Sequence, residues 1–453
     1  MPEAAEDELA SSTAPAFASN GAPSRAARSD WPRGAALAIA ALVALLHALN
    51  LVQLALALGC TPSGLACAAG AVPWLTPDSS SYVEVAKDVL ARGAWRASYL
   101  VRGPGYPWLL ALSQRWFGTM LAALWVEPGL AGLAAWSVMV LAHALTGRRA
   151  ATLGAGLLVA AWPAMLAYAP ELLTDAPHAF LAAAALAATL RWRARGGAPR
   201  VTLAALGWIG TQALRPTFFF VAALVPCLLL DPRGRQRKRI ERLALWIATL
   251  LVPGFVVGSN LLQHGVATAS AIGPETISCY AMPRLRAALG EGDFFDIRDA
   301  AFARYRSIPF PERIAVQRRD TRELIAAHPI EAALSLLREL RRQLLAPPRP
   351  YSRHEWAALY PPWLSLPSWL NASFWLAALA GVGALARRDP ALALFLLGSF
   401  VGVMVPAATS ALIENRLRLP LDLWAMPLIV LALQWLRDRA TQPSLPTRAI
   451  RGP

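Results

Sequence analysis

The feature that most constrains this chain is a repeated alternation: long apolar runs with few or no charges, separated by short polar stretches of which every second one is rich in arginine. The hydrocarbon core of a bilayer is about 30 Å thick and takes about 20 apolar residues of helix to cross. Runs of this kind, some a little shorter, cover 34–58, 121–145, 150–168, 175–191, 200–214, 216–230, 242–260, 366–386, 390–410 and 419–436. In lipid each backbone N–H and C=O must find its partner within the segment, so each run is expected as a helix. The expected fold is therefore an all-α polytopic membrane protein, a bundle of about ten transmembrane helices.

The arginine clusters orient the runs. Arg25, Arg28 and Arg33 precede the first, which puts the N-terminus in the cytoplasm. Gly147-Arg148-Arg149, "RWRARGGAPR", "DPRGRQRKRIER", Arg387-Arg388 and "RDRA" then all fall on that same side, and the short turns on the other side lack such clusters. Both termini come out cytoplasmic. The first run is long enough to stay in the membrane, so no cleavable signal peptide is expected. The chain divides into a polar, disordered segment over 1–33, an N-terminal membrane module over 34–260 that includes a first outer loop at 59–120, a large extracytoplasmic loop or subdomain over 261–365, three closing spans over 366–436 and a tail over 437–453. For a bacterial chain this places the protein in the inner membrane. Transporters often carry paired broken helices as an internal repeat; none is visible here.

Composition agrees with this reading. Hydrophobic residues make up 56% and charged residues only 16%, where soluble domains carry about a quarter charged. The net charge of +15 would suggest nucleic acid in a soluble protein. Here the basic residues sit between spans, so nucleic-acid binding is excluded in favour of membrane lipids as surroundings. Cys60 and Cys67 lie in the first outer loop and allow either a disulfide or two free thiols. No Cys/His spacing suggests a metal.

Within the first outer loop, 79–92 reads as an amphipathic helix with Tyr82, Val85, Ala86, Val89 and Leu90 on one face. Asp78 precedes it, and Ser79 to Ser81 offer N-cap chemistry. Residues 105–117 are apolar but too short to span, and both segments suit interfacial helices. In the large loop a helical pattern runs over 312–345.

The chemically interesting residues collect on one side. Asp78, Arg102, Glu171, Asp175, Arg215, Glu414, Arg416 and Arg418 all fall at outer ends of expected spans or in the first loop. Polar residues at membrane depth are costly and need a partner or a function. Carboxylates can serve as a base, and arginines can hold a phosphate in bidentate fashion. Plainer readings stand beside these. Asp78 can be a helix N-cap and Arg102 an interfacial anchor. Glu171 and Asp175 can be loop or cap residues ahead of Pro177, and Arg215 can mark a turn.

"PDSSSYVEVAKDVLARGAWRASYLVRGPGYPWLLALSQRWFG" resembles the first periplasmic loop of the GT-C superfamily of integral-membrane glycosyltransferases. It is most similar to the bacterial family related to protein O-mannosyltransferases and the lipid A aminoarabinose transferase. The matching features are Asp78, Tyr82, Arg102, Pro104, Tyr106-Pro107 and Phe117-Gly118. "AWPAMLAYAPELLTDAPHAFL", "LRPTFFF", "GSNLLQHGVATAS" and "ENRLRLPLDLWAMPLIVLAL" resemble later segments in the same order, so that the likeness spans most of 34–436. Many relatives carry an Asp-Glu pair in the first loop; here Ser79 replaces the Glu, which argues against the protein O-mannosyltransferase group proper.

The resemblance implies transfer of a sugar from a polyprenyl-phosphate donor to a glycan, lipid or protein acceptor, with inversion. Asp78 is then the catalytic base or the residue that orients the acceptor hydroxyl. Arg102 is the first choice for the lipid phosphate, with Arg215 and Arg416 next. Tyr82, Tyr106, Glu171 and Asp175 complete the expected substrate-binding set. Some relatives use a divalent metal; a single Asp with no evident second ligand gives no support for one, and no cofactor is expected. Two other classes stay open: a transporter or flippase of lipid-linked glycans, and a non-catalytic envelope-assembly protein.

Overall fold

The computed structural model describes residues 31–57, 59–61, 76, 78–168, 171–229, 239–346, 368–409 and 416–441. The polar segment up to residue 30, Cys67, Glu414 and the tail from residue 442 lie outside the described residues. Cys60 is disulfide-bonded. All helices and no strand are found among the described residues.

The first helix, α1 (Arg33–Ala57), is followed by α2 (Ser79–Arg92) and α3 (Gly105–Phe117) in the outer loop. A 3-10 turn, Met120–Trp125, leads into α4 (Val126–Thr146). Then come α5 (Arg149–Ala161), α6 (Pro163–Tyr168), α7 (Asp175–Arg195), α8 (Ala198–Leu214), α9 (Val221–Leu229) and α10 (Arg239–His264). The large loop is itself helical: α11 (Ile272–Thr276), a π turn over Ile277–Ala281, α12 (Met282–Ala288), α13 (Phe294–Arg306), α14 (Phe310–Ala327) and α15 (Pro329–Leu345). The chain closes with α16 (Ser368–Ala386), α17 (Pro390–Thr409), a 3-10 turn over Arg416–Arg418 and α18 (Leu419–Ala440).

Six segments are long and apolar enough to cross a membrane by length and composition: Arg33–Leu56, Met120–Thr146, Arg239–His264, Ser368–Ala386, Pro390–Thr409 and Arg416–Ala440. The other runs expected as spans also form helices, but shorter, broken or charged at one end. The 150–168 run is divided at Trp162, which is extended (φ −81°, ψ 113°) ahead of Pro163. The 216–230 run starts with a 3-10 turn over Pro216–Phe218, after an extended Arg215 (φ −143°, ψ 118°). The 312–345 pattern is two helices, parted at His328 ahead of Pro329. One cause serves all three: a proline ring clashes with the preceding residue in the α region and pushes it out of helix. The helices between 272 and 306 lie outside the helical pattern expected for the large loop.

α18 and α7 form the centre. Both are buried on nearly every side, packed against α4 and, in the case of α18, against α16 and α5. Small residues let the helices approach closely, as is common between membrane helices. At Gly381 of α16 an added Cβ would lie 2.1 Å from the Leu428 carbonyl oxygen of α18.

The two ends of the bundle differ. At the end carrying the arginine clusters, Arg148 pairs with Asp438 at 2.9 Å and Arg193 with Asp389 at 2.9 Å. There Glu241 also accepts from Trp192 Nε1 at 2.6 Å and from the Gly197 N–H at 3.2 Å. The opposite end carries the first loop, the turn before α7 and the turn before α18, and the candidate site lies there.

Candidate active site

Asp78 stands at the N-cap position of α2, but its side chain makes no capping bond. The carboxylate is engaged elsewhere. Oδ1 lies 3.0 Å from Arg102 Nη2, and Oδ2 accepts from Arg416 Nη2. Arg416 Nη1 is 3.8 Å from Asp175 Oδ2, and Asp175 Oδ1 accepts from Arg215 Nη1. The result is an alternating row of charges, Arg102–Asp78–Arg416–Asp175–Arg215, brought together from α2, the turn before α3, the Arg416–Arg418 turn, the start of α7 and the end of α8.

Exposure varies along the row. The Asp78 side chain is 26% exposed, whereas those of Arg416 and Asp175 are 3% and 2% exposed. Asp78 is thus the member a substrate can reach, and Arg416 with Asp175 forms its backing. Burial alone raises the Asp78 carboxyl, but the Arg416 and Arg102 guanidiniums outweigh it and hold the carboxyl below its ordinary value. Asp78 is therefore a charged hydrogen-bond acceptor at neutral pH and a weak proton acceptor.

Arg102 is fixed on several sides. Its Nε donates to Ser81 Oγ at 2.7 Å, its Nη1 reaches Tyr82 Oη at 3.4 Å, and its guanidinium lies 4.4 Å from the centre of the Tyr82 ring. The Tyr82 hydroxyl in turn meets Thr174 Oγ1 at 2.9 Å. Tyr106 lies fully buried beneath Tyr82, ring edge to face at 5.5 Å. Its phenol is pushed well above the ordinary tyrosine value, by burial first and then by Glu127, Tyr82 and Asp175.

Ser79, the residue after Asp78, has a structural part. Its hydroxyl donates to the Leu172 carbonyl at 2.9 Å and accepts from the Thr76 N–H at 2.9 Å. This ties the start of α2 to the 171–174 turn that delivers Asp175. Glu171 is buried on that same turn.

Two neighbours fell outside the expected set. Arg418 is fully buried and donates Nη1 to the Gln343 and Leu344 carbonyls at 2.6 and 2.7 Å and Nη2 to Asn371 Oδ1 at 3.1 Å. Its Nε sits 3.2 Å from Asp422 Oδ1, and Asp422 Oδ2 accepts from Trp162 Nε1 at 2.9 Å. These bonds fix the turn that presents Arg416. The sequence signal was the Arg-x-x-x-Asp spacing at the mouth of a span, which puts both groups on one helix face. The second is Glu127, buried in the first turn of α4, with no hydrogen-bond partner for either carboxylate oxygen among the described residues. A single acid within an apolar run was its signal. Among the described residues no three His, Cys, Asp or Glu side chains are grouped so as to hold a metal ion.

No protein-family model matches the chain, and no curated protein matches it. Solved structures are similar to it. One is the archaeal oligosaccharyltransferase AglB from Archaeoglobus fulgidus in complex with an inhibitory peptide and a dolichol-phosphate, at 15% identity and a TM-score of 0.44, covering 88% of this chain and 50% of AglB. Another is ArnT from Cupriavidus metallidurans bound to undecaprenyl phosphate, at 16% identity and a TM-score of 0.33, covering 74% of this chain and 73% of ArnT. The chain thus spans about half the length of the archaeal enzyme.

Proposed function

We propose that this protein transfers a sugar from a polyprenyl-phosphate donor to an acceptor hydroxyl at the extracytoplasmic face of the membrane. The observation that carries the reading is Asp78 itself: a partly exposed carboxylate, held between Arg102 and Arg416 where an interfacial helix begins. A helix cap needs none of these partners, and Asp78 does not cap.

In this reaction the acceptor hydroxyl donates a hydrogen bond to Asp78, which aims the oxygen lone pair at the anomeric carbon. The new C–O bond forms as the bond from the anomeric carbon to the phosphate oxygen breaks on the opposite face, with inversion. Negative charge gathers on the leaving lipid phosphate. Arg102, beside the partly exposed Asp78, takes up that charge, with Arg416 and Arg215 setting the field behind it. The hydroxyl proton passes by way of Asp78 to the departing lipid phosphate or to solvent; because the two arginines weaken this carboxylate as a base, orientation contributes more than proton abstraction. Tyr82 holds Arg102 from below, and Asp175 keeps Arg416 and Arg215 apart while neutralising their excess charge.

The test is mass spectrometry of envelope glycans and polyprenyl lipids in a native strain, a deletion, and deletions carrying either the wild-type chain or Asp78→Asn at matched membrane abundance. The expected result is one glycan that loses a sugar in the deletion and regains it with the wild-type chain. Asp78→Asn should restore transfer about 10²-fold more slowly, the order that lost orientation costs. Full restoration by Asp78→Asn would remove Asp78 from the chemistry and the transferase reading with it.

A further inference from the structure

At the far end of α2 from Asp78 lies a second built feature. It is a cleft of about 710 Å³ between the 92–98 turn and the outer end of α10, within the size range of small-molecule sites. Its rim carries Arg92, Arg96 and Ser98 from the turn, with Gln263 and His264 from α10. Its floor is Gly254, Phe255 and Gly258. A Cβ built on either glycine meets nothing within 4 Å, so one turn of α10 presents bare backbone and an open trough. Trp95 packs edge-on against Phe255 at 5.5 Å and is 76% exposed, closing one side.

The rim is held in place. Arg92 forks onto both oxygens of Asp88, and Asp88 Oδ2 also accepts the Ser98 N–H at 3.0 Å. Ser98 Oγ meets His264 Nε2 at 2.9 Å, and Gln263 Nε2 donates to the Ala97 carbonyl at 3.3 Å. Asp88 neutralises Arg92, so the free positive charge of the rim is Arg96, which has no carboxylate partner among the described residues. α10 is a candidate span that ends at His264, and Leu262 near its end is 89% exposed. The cleft therefore opens where a helix leaves the hydrocarbon, at headgroup depth.

The geometry points to this cleft as a binding site for an anionic phospholipid of the surrounding bilayer, its phosphate under Arg96 and its first chain carbons along the Gly254–Gly258 trough. A guanidinium forms charge-assisted hydrogen bonds to phosphate oxygens, and the apolar floor suits the chain that follows. With the 14 residues of α2 between them, the cleft and Asp78 are about 20 Å apart at 1.5 Å per residue. The site is thus separate from the charge row and stands whether or not the protein transfers sugars.

The full-length protein in mild detergent is titrated with phosphatidylglycerol, phosphatidylcholine and soluble glycerol phosphate, with occupancy read by native mass spectrometry. One phosphatidylglycerol should be retained, at least about fivefold more tightly than phosphatidylcholine. Arg96→Gln, an exposed change with no ion pair to break, should weaken it about fivefold to tenfold, the size of one charge-assisted contact. Gly258→Leu fills the trough without touching a charge and should weaken it comparably. Arg115→Gln, exposed elsewhere on the outer loop, should leave it unchanged. Equal retention by wild type, Arg96→Gln and Gly258→Leu would overturn the site. Glycerol phosphate binding as tightly as the lipid would overturn its assignment to a lipid.

Discussion

Asp78 sets the acid behaviour expected of the site. Its folded value lies below the ordinary aspartate value of about 3.9. A depressed carboxylate stabilises the fold above its unfolded value, and that contribution is lost as pH falls through the lowered one. The difference in melting temperature between wild type and Asp78→Asn should therefore be constant from pH 6 to 8 and shrink only below about pH 4. A difference that already disappears near pH 6 would mean the carboxyl is not held down by its arginines. Arg418 sets a second expectation. Replacement by Met leaves the Asp422 carboxyl buried without its cationic partner, and breaking such a pair costs about 3–5 kcal/mol. Arg418→Met should lower detergent-phase stability by that order, and Arg418→Met with Asp422→Leu should recover most of it. Failure of the double change to recover would assign the loss to the backbone bonds at Gln343 and Leu344. That charged residues gather at the outer ends of spans is legible in the sequence, because apolar surroundings make each one conspicuous. Their pairing is not, because Asp78 and Arg416 are 338 positions apart and only the tertiary fold brings them together.

At the level of the helix, the breaks before Pro163, Pro216 and Pro329 follow a local rule, but the dipeptide alone does not place them, since Pro226, Pro253, Pro406 and Pro427 stay inside helices. The helices of 272–306 could not be read from the sequence either: α13 has no strong apolar face, and its ordering comes from contacts such as Tyr305 Oη to Asp320 at 3.0 Å on α14. Helix-to-helix distance is equally illegible, since a glycine in an apolar run reads the same whether it faces lipid or a neighbour. α16 offers the contrast within one turn. Gly381 faces the Leu428 carbonyl, whereas a Cβ on Gly383 meets nothing within 4 Å. Gly381→Ala should force α16 away from α18 and cost roughly 1–3 kcal/mol, as overpacking does. Gly383→Ala should be neutral or slightly stabilising, because alanine restricts the unfolded chain more than glycine. Thermal unfolding of the two variants in the same detergent reads the difference; equal melting temperatures would mean that α16 and α18 do not approach this closely.

For the whole molecule, the two ends of the bundle carry different chemistry, and the proposed reaction requires that they face different compartments. The arginine clusters, with Arg148–Asp438 and Arg193–Asp389, mark one end; the row from Arg102 to Arg215 and the helices α11 to α15 mark the other. The proposed function expects the first in the cytoplasm, in line with the positive-inside bias, and Asp78 where a sugar carrier flipped across the bilayer would present its donor. Cysteine labelling tests this directly. Cys60 is disulfide-bonded, burial raises the Cys279 thiol to about 11, leaving little thiolate to react, and the half-buried free Cys227 is first replaced by serine. Ser307→Cys, exposed after α13, should react with a membrane-impermeant maleimide in intact spheroplasts. Arg195→Cys, exposed at the end of α7, should react only once the membrane is permeabilised. The reverse pattern would place the charge row in the cytoplasm, where the phosphate of a carrier loaded on the inner leaflet would meet it, and the transfer would then have to precede translocation of the lipid instead of following it.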